Sequence, residues 1–284
     1  MTRFEFIEDK DFKYNDDIIK GLQAYNRSQT GYREKDKQNF YVCQDDDILG
    51  VAHTKMASDW CHINRIYYKN IDVLKNLLND IKEYYKDKVE GIQFSCVIPR
   101  IVEDFKSLGY IEKGRLEDMP KGGENIFLLN TDFEPYKTSE DYEVQVTGKR
   151  IERYDEVLKQ EIRKMRKSLN FSSETVDVQF VVLDNGQFVG GIYGNFKYDY
   201  LFINVLYVKE KYRGRNIATK LMDLIEKEAA KRGFQNLYLT TFEFQALGFY
   251  KKRGYKKVME IYDYPKGFKE FTVYKSLSIQ QHSK

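Results

Sequence analysis

The amino-acid sequence predicts a mixed α/β fold assembled twice in tandem, and three observations carry that expectation. The segment ILGVAHTKMASDWCHINRIYY at 48–68 aligns with FVGGIYGNFKYDYLFINVLYV at 188–208 at a constant offset of 140, so Gly50 matches Gly190 and Ile63-Asn64 matches Ile203-Asn204. Further on, FKSLGYIEKGRLEDMPKG at 105–122 aligns with YKKRGYKKVMEIYDYPKG at 250–267 at an offset of 145, pairing Gly109-Tyr110 with Gly254-Tyr255 and Pro120-Lys121-Gly122 with Pro265-Lys266-Gly267. Finally, runs of alternating apolar residues, the mark of strands, are interleaved with stretches of helical periodicity.

In the second half the elements follow in a definite order. YEVQV at 142–146 reads as a strand, 154–167 as a helix, and VQFVVLD, QFVGGIYGNF and YLFINVLYV as three strands. The long helix at 217–232 presents Leu221, Leu224, Ile225 and Ala229 as an apolar stripe and stops at Gly233. A strand NLYLTTF, a short helix ALGFYKKRG ended by Gly254, and the strands YKKVMEI and EFTVYKSL complete the half. The first half repeats this order. The polar, proline-containing TDFEPYKTSED connects the two, giving expected domains at 1–131 and 142–284 with a linker at 132–141.

Composition narrows the function classes. No apolar run approaches the roughly 18 residues of a membrane span, and the opening MTRFEFIEDKDFK mixes both charge signs, so a cytoplasmic protein is expected, with no membrane partner. Cys43, Cys61 and Cys96 are an odd number without a short-spaced pair, which speaks for reduced thiols and against a disulfide framework or a metal site. His53, Cys61 and His62 lack a fourth ligand at suitable spacing. The net charge of +3 conceals an imbalance: residues 1–140 hold 21 Lys+Arg and 26 Asp+Glu, residues 141–284 hold 26 and 18. An anionic ligand is expected in the second half. The basic residues alternate with acids along helical stretches such as MDLIEKEAAKR, the pattern of a solvated face, so no nucleic-acid partner is expected.

The offset between the halves grows by five because the second half carries extra residues at 212–216, inside KYRGRNIATKLMDLIEKEAAKRG. The first turn of a helix has unpaired N–H groups and a partial positive charge, which together hold an anion. Gly214 allows close backbone approach, Asn216 tolerates a left-handed conformation, Arg213 and Arg215 add charge, and Thr219 offers a hydroxyl. The stretch lacks the lysine of a P-loop and the three glycines of a dinucleotide fingerprint, which disfavours ATP and NAD.

The order of VLYVKEKYRGRNIATKLMDLIEKEAAKRG, NLYLTTFEFQALGFYKKRGY and the closing DYPKG resembles the GNAT superfamily of acyl-CoA-dependent N-acyltransferases. The resemblance covers about 142–277 and extends more weakly, by fold order, to the first half. The family pattern Arg/Gln-x-x-Gly-x-Gly/Ala falls on Arg213, Asn216 and Ala218, with Asn216 departing from glycine. The resemblance implies acetyl-CoA as co-substrate and no metal. Its diphosphate would lie on the amides of Arg213, Gly214, Arg215, Asn216, Ile217 and Ala218, with Thr219 just inside the helix. Leu206, Tyr207 and Val208 would pair with the pantetheine arm and polarise the thioester carbonyl. Tyr250 would protonate the departing thiolate during direct attack by a primary amine in a ternary complex. Glu243 is a candidate base, a candidate cofactor contact, or a carboxylate that faces solvent, the commoner case. Phe105 stands where Tyr250 does, and 69–70 lack the loop, so the first half reads as a degenerate copy that shapes the acceptor cleft or supports a homodimer. A non-catalytic acyl-CoA-binding scaffold is the rival reading.

Overall fold

The computed structural model describes residues 4–31, 35–45, 47–57, 59–168 and 174–277, so the outermost ends of both expected domains lie outside it. In chain order the elements are β1 (Phe4–Glu8), α1 (Asn15–Thr30), β2 (Lys35–Gln44), β3 (Asp47–Ala57), β4 (Trp60–Tyr68), α2 (Ile71–Tyr85), β5 (Gly91–Cys96), α3 (Pro99–Ser107), β6 (Ile111–Glu117) and β7 (Glu124–Asn130). Then follow β8 (Val144–Thr147), α4 (Glu152–Ser168), β9 (Thr175–Asp184), β10 (Gln187–Lys197), β11 (Tyr200–Val208), α5 (Ile217–Lys231), β12 (Asn236–Phe242), α6 (Leu247–Lys252), β13 (Lys256–Tyr262) and β14 (Lys269–Ser276). No helix among the described residues is long and apolar enough to cross a membrane.

The strands form two seven-stranded mixed sheets, β8-β2-β3-β4-β5-β7-β6 and β1-β9-β10-β11-β12-β14-β13. Each contains a single parallel pair, β4 with β5 and β11 with β12, joined by the crossover helix α2 or α5. Leu221, Met222, Ile225 and Ala229 of α5 are fully buried against the second sheet, and Leu74, Leu77, Leu78 and Ile81 of α2 do the same in the first. The Asn185-Gly186 turn between β9 and β10 has positive φ at both residues, the geometry that lets a two-residue hairpin follow strand twist.

The sheets are not each drawn from one half of the sequence. Strand β1 pairs antiparallel with β9, from Phe4↔Asp184 to Glu8↔Phe180, and α1 lies on β10 and β11. Reciprocally, β8 pairs with β2, from Asn39↔Thr147 to Val42↔Val144, and α4 lies on β3 and β4. The expected units 1–131 and 142–284 thus exchange their first strand and helix. Packing and polar groups fasten the exchange. Ile18 of α1 is buried with Val181, Leu183 and Phe188; a Cβ on Gly21 would come within 2.3 Å of the Tyr207 ring, so glycine is needed for this approach. Asp9 accepts from Gln179 Nε2 at 2.7 Å. On the other side His53 Nε2 lies 2.9 Å from Asp155 Oδ1, both buried, and Leu158 packs on Tyr41 and Val51.

The expected linker is docked along α2. Lys82 donates to the Glu134 carbonyl at 2.7 Å, Asn79 exchanges hydrogen bonds with the backbone of Tyr136, and Asn76 donates to the Glu140 carbonyl at 2.8 Å. This path carries the chain from β7 to the far edge of the same sheet. The two sheets meet through Trp60, Leu116, Met119, Tyr200, Met259 and Tyr264, and one pair of polar contacts there is reciprocal. Lys121 N donates to Asp199 and Lys266 N to Asp59, equivalent residues in the two halves. His62 is hydrogen-bonded to Tyr264, and burial pushes its imidazole down to about 4, so it is neutral and structural.

Because Ile18 seats the exchanged helix on the second sheet, Ile18→Ala is expected to cost about 2–5 kcal/mol of stability in denaturant unfolding. Amide-exchange protection should fall in β9–β11 and hold in β2–β4; loss confined to β2–β4 would contradict the exchange.

Candidate active site

The site begins where two parallel strands part. β11 and β12 pair only from Tyr200↔Asn236 to Ile203↔Leu239. In the ladder with β10, Tyr193 faces Val205 and Gly194 faces Ile203, leaving Asn204 as an extra, bulged residue. A bulge bends its strand, so β11 turns from β12 after Ile203 and its edge over 204–208 has no strand partner on that side among the described residues. The opening is a cleft of about 310 Å³. Leu206, Tyr207 and Val208 line it from β11, Thr240 and Thr241 from β12, Tyr250 from α6, and Leu22 and Tyr25 from the exchanged α1.

At one end of the cleft lies the loop before α5. Gly214 has φ +75° and Asn216 φ +59°, both left-handed, which steers the chain into the helix with its amides turned outward. Asn216 makes no side-chain cap, and no amide from Gly214 to Thr219 donates a hydrogen bond among the described residues. Unpaired amides at a helix N-terminus are an anion site, and their chemistry fits a diphosphate. Arg213 lines the cleft, donates from Nε to the Val208 carbonyl at 3.1 Å and lies over the Tyr25 ring. Arg215 lies over Tyr212. Ala218 lines the cleft; Ile217 is buried in the core beneath.

Tyr250 is 7% exposed and also faces the cleft. Burial alone pushes its phenol above its ordinary value, so the proton stays on Oη at neutral pH. Glu243 is exposed and does not line the cleft; its amide donates to the Lys269 carbonyl at 2.8 Å. The structure therefore brings Leu206, Tyr207, Val208, Arg213, Ala218 and Tyr250 together and leaves Glu243 apart.

Three residues here were not legible as site residues. Leu22 and Tyr25 belong to an Ile18/Leu22/Tyr25 stripe that marks one helix face without saying which sheet it covers. Tyr25 Oη donates to the Phe244 carbonyl at 2.9 Å, fixing α1 over the cleft mouth. Glu270 is buried on β14 near Thr240, and burial pushes its carboxyl up to about 8.

The corresponding place in the first half differs at the helix start and at the phenol. The side chain of Asn70 caps α2 by accepting from Val73 N at 2.9 Å and Asp72 puts a carboxylate in its first turn, whereas α5 has neither a side-chain cap nor an acid there. Phe105 is fully buried and stacked on Phe94 at 4.3 Å, with no hydroxyl to offer.

With this geometry in hand, comparison with known proteins is informative. The Acetyltransferase (GNAT) family matches residues 140–255. An acetyltransferase of Agrobacterium fabrum is 36% identical over 75 residues, 26% of this chain; the match spans 55% of that relative's length. A blasticidin-S acetyltransferase of Streptomyces morookaense is 30% identical over 95 residues, covering 33% of this chain and 70% of that protein. Among solved structures, an acetyltransferase from Bacillus cereus is 28% identical and is covered over 96% of its length by 46% of this chain, with a TM-score of 0.43. The chain belongs to the GNAT family of acetyltransferases.

Proposed function

We propose that the second sheet carries an N-acetyltransferase site that moves an acetyl group from acetyl-CoA to a primary amine by direct attack. The observation that carries this reading is the pairing of an open amide loop at 214–219 with a protonated, cleft-facing Tyr250. When bound, acetyl-CoA would supply the thioester. The loop amides, with Arg213 and Arg215 beside them, hold the diphosphate; the unpaired edge of β11 at Leu206–Val208 aligns the arm and offers N–H groups to the carbonyl oxygen. Tyr250 holds a proton at Oη for the sulfur that leaves as the C–S bond breaks and the C–N bond forms.

The proton lost by the amine needs another acceptor. Glu243 is exposed outside the cleft, so this reading gives it no step. Glu270 lies near Thr240, which lines the cleft, and a carboxyl near 8 is matched to taking a proton at working pH. We assign it the base role through Thr240. The exchanged α1 supplies Leu22 and Tyr25 to the acceptor side, and the first half acts as the scaffold that presents it.

Free-thiol release should be measured over a panel of primary amines that includes blasticidin S, because a relative is named for it. Turnover with at least one amine is expected. Tyr250→Phe should lower kcat by about 10²–10⁴ while leaving acetyl-CoA affinity within about twofold. Tight binding of acetyl-CoA with no turnover on any amine would make the chain a ligand-binding module instead.

Glu270 gives a pH prediction with a definite sign. Its carboxyl is raised in the folded protein, so between the unfolded value near 4.3 and about 8 the folded state retains a proton that the unfolded state has lost. That contribution lowers stability as pH rises from about 5 to 8. Glu270→Gln should remove this decline in pH-dependent unfolding and also flatten the rise in kcat/KM around pH 8. A decline of unchanged size in the variant would contradict the assignment.

A further inference from the structure

The first sheet has a splay of its own. β4 and β5 pair from Trp60↔Gly91 to Ile63↔Phe94 and then separate, with Asn64 bulged out of the β3–β4 ladder. The resulting cleft is about 620 Å³, twice the volume of the one at Tyr250, and is closed by α4 on one side and the β10–β11 hairpin on the other. Its lining contains Arg65, Lys159, Arg163, Arg166 and Lys197 and, among the described residues, no carboxylate. The internal repeat supplies a control for this charge. At the offset of 140, the counterparts of those five cations are Val205, Ile19, Gln23, Asn26 and Ala57, all uncharged. Gln23, Asn26 and Ala57 line a separate cavity whose cations, Arg27 and Lys55, stand at other positions, so the five charges are a feature of the first-sheet cleft and not of the repeat.

Those charges are poorly compensated within the chain. Lys159 pairs with Glu156 at 2.5 Å, and Arg166 lies over the Tyr198 ring. Lys197, Arg65 and Arg163 make no ion pair among the described residues. Burial, with Arg166 and Arg65 nearby and Cys96 opposing, pushes the Lys197 ammonium down to about 8. Confining like charges in a half-enclosed space is unfavourable unless an anion joins them. The walls add apolar and aromatic surface from Ile98, Ile101 and Tyr238. Asn70 caps the start of α2 and Asp72 places a carboxylate in its first turn, so the anion would be gripped by side chains, in a manner unlike the 214–219 loop.

We propose that this cleft is a second ligand site, separate from the acetyl-CoA site, for an organic anion carrying two or more carboxylate or phosphate charges on an apolar or ring-bearing body. Guanidinium groups of Arg163 and Arg166 bind its charged end bidentately, with Lys197 and Arg65 beside them. Asn195 connects this cleft to the other: it lines the cationic cleft and donates to Asn204, which lines the cleft at Tyr250, at 2.7 Å.

Calorimetric titration of the full chain, with acetyl-CoA present at saturation, tests this using inorganic pyrophosphate for phosphate ligands and citrate for carboxylate ligands. One-to-one binding of at least one anion is expected. Arg163→Gln/Arg166→Gln should weaken it about tenfold or more, as loss of charge-assisted hydrogen bonds does, with acetyl-CoA affinity changed less than twofold. Arg163→Gln alone, at an exposed helix position, serves if the double variant fails to fold. Binding of neither anion, undiminished binding in the variants, or displacement of acetyl-CoA by the anion would each overturn the proposal.

Discussion

The parting of β11 from β12 after Ile203 is the constraint on which the rest of the site depends. A parallel pair joined by a crossover helix would normally bury both strand edges, and a buried edge leaves no backbone polar groups for a ligand. The bulge at Asn204 breaks that pairing while keeping β11 tied to β10. One side of the strand stays rigid and the other stays open. The same divergence sets the start of α5 beside the open edge, so that the free amides at 214–219 and the unpaired strand face one cleft. Tyr250 enters from α6, which follows β12 across the gap.

Duplication gives the molecule two such openings, and the chain uses them differently. In the first, Asn70 caps the helix and Phe105 fills the place of the phenol with a stacked ring. Both changes favour local stability, since a side-chain cap satisfies a helix-start amide and a buried phenylalanine, unlike a buried phenol, has no hydroxyl that needs a partner. The exchange of β1-α1 and β8-α4 makes the two halves mutually dependent. Each sheet ends in a strand from the other half of the sequence, and the cleft of the second sheet is roofed by a helix that precedes the first sheet in the chain. This is why the first half cannot be regarded as an appendage: Leu22 and Tyr25 come from it.

Much of this was legible in the sequence. The offset of 140 fixed which strands correspond, and the five-residue growth to 145 located the loop, because an insertion in one copy of a repeat has to be accommodated at a turn. Asn216 was readable as a residue that tolerates a left-handed conformation, and its φ is positive; Gly214, read only as allowing close approach, is left-handed as well. The partner of β1 was not readable. Alternating apolar residues define a face, but the sheet that receives it is decided by tertiary contacts such as Ile18 on Val181 and Asp9 on Gln179. Glu270 was missed because a carboxylate on the polar side of a strand looks the same in sequence whether that side meets solvent or the other half. Arg163 and Arg166 were hidden in the same way, as members of a charged helix whose outer face turns out to line a cleft.

The most direct test of the central claim is amide NMR of the full chain titrated with CoA. The open helix start predicts that the largest shifts fall on the backbone N–H groups of Gly214–Thr219 and on the β11 edge at 204–208, with the amides of 70–74 in the capped first-half helix unmoved. Large shifts at 70–74, with 214–219 unchanged, would show that the ligand is held by the other half and that the uncapped start of α5 does not bind it.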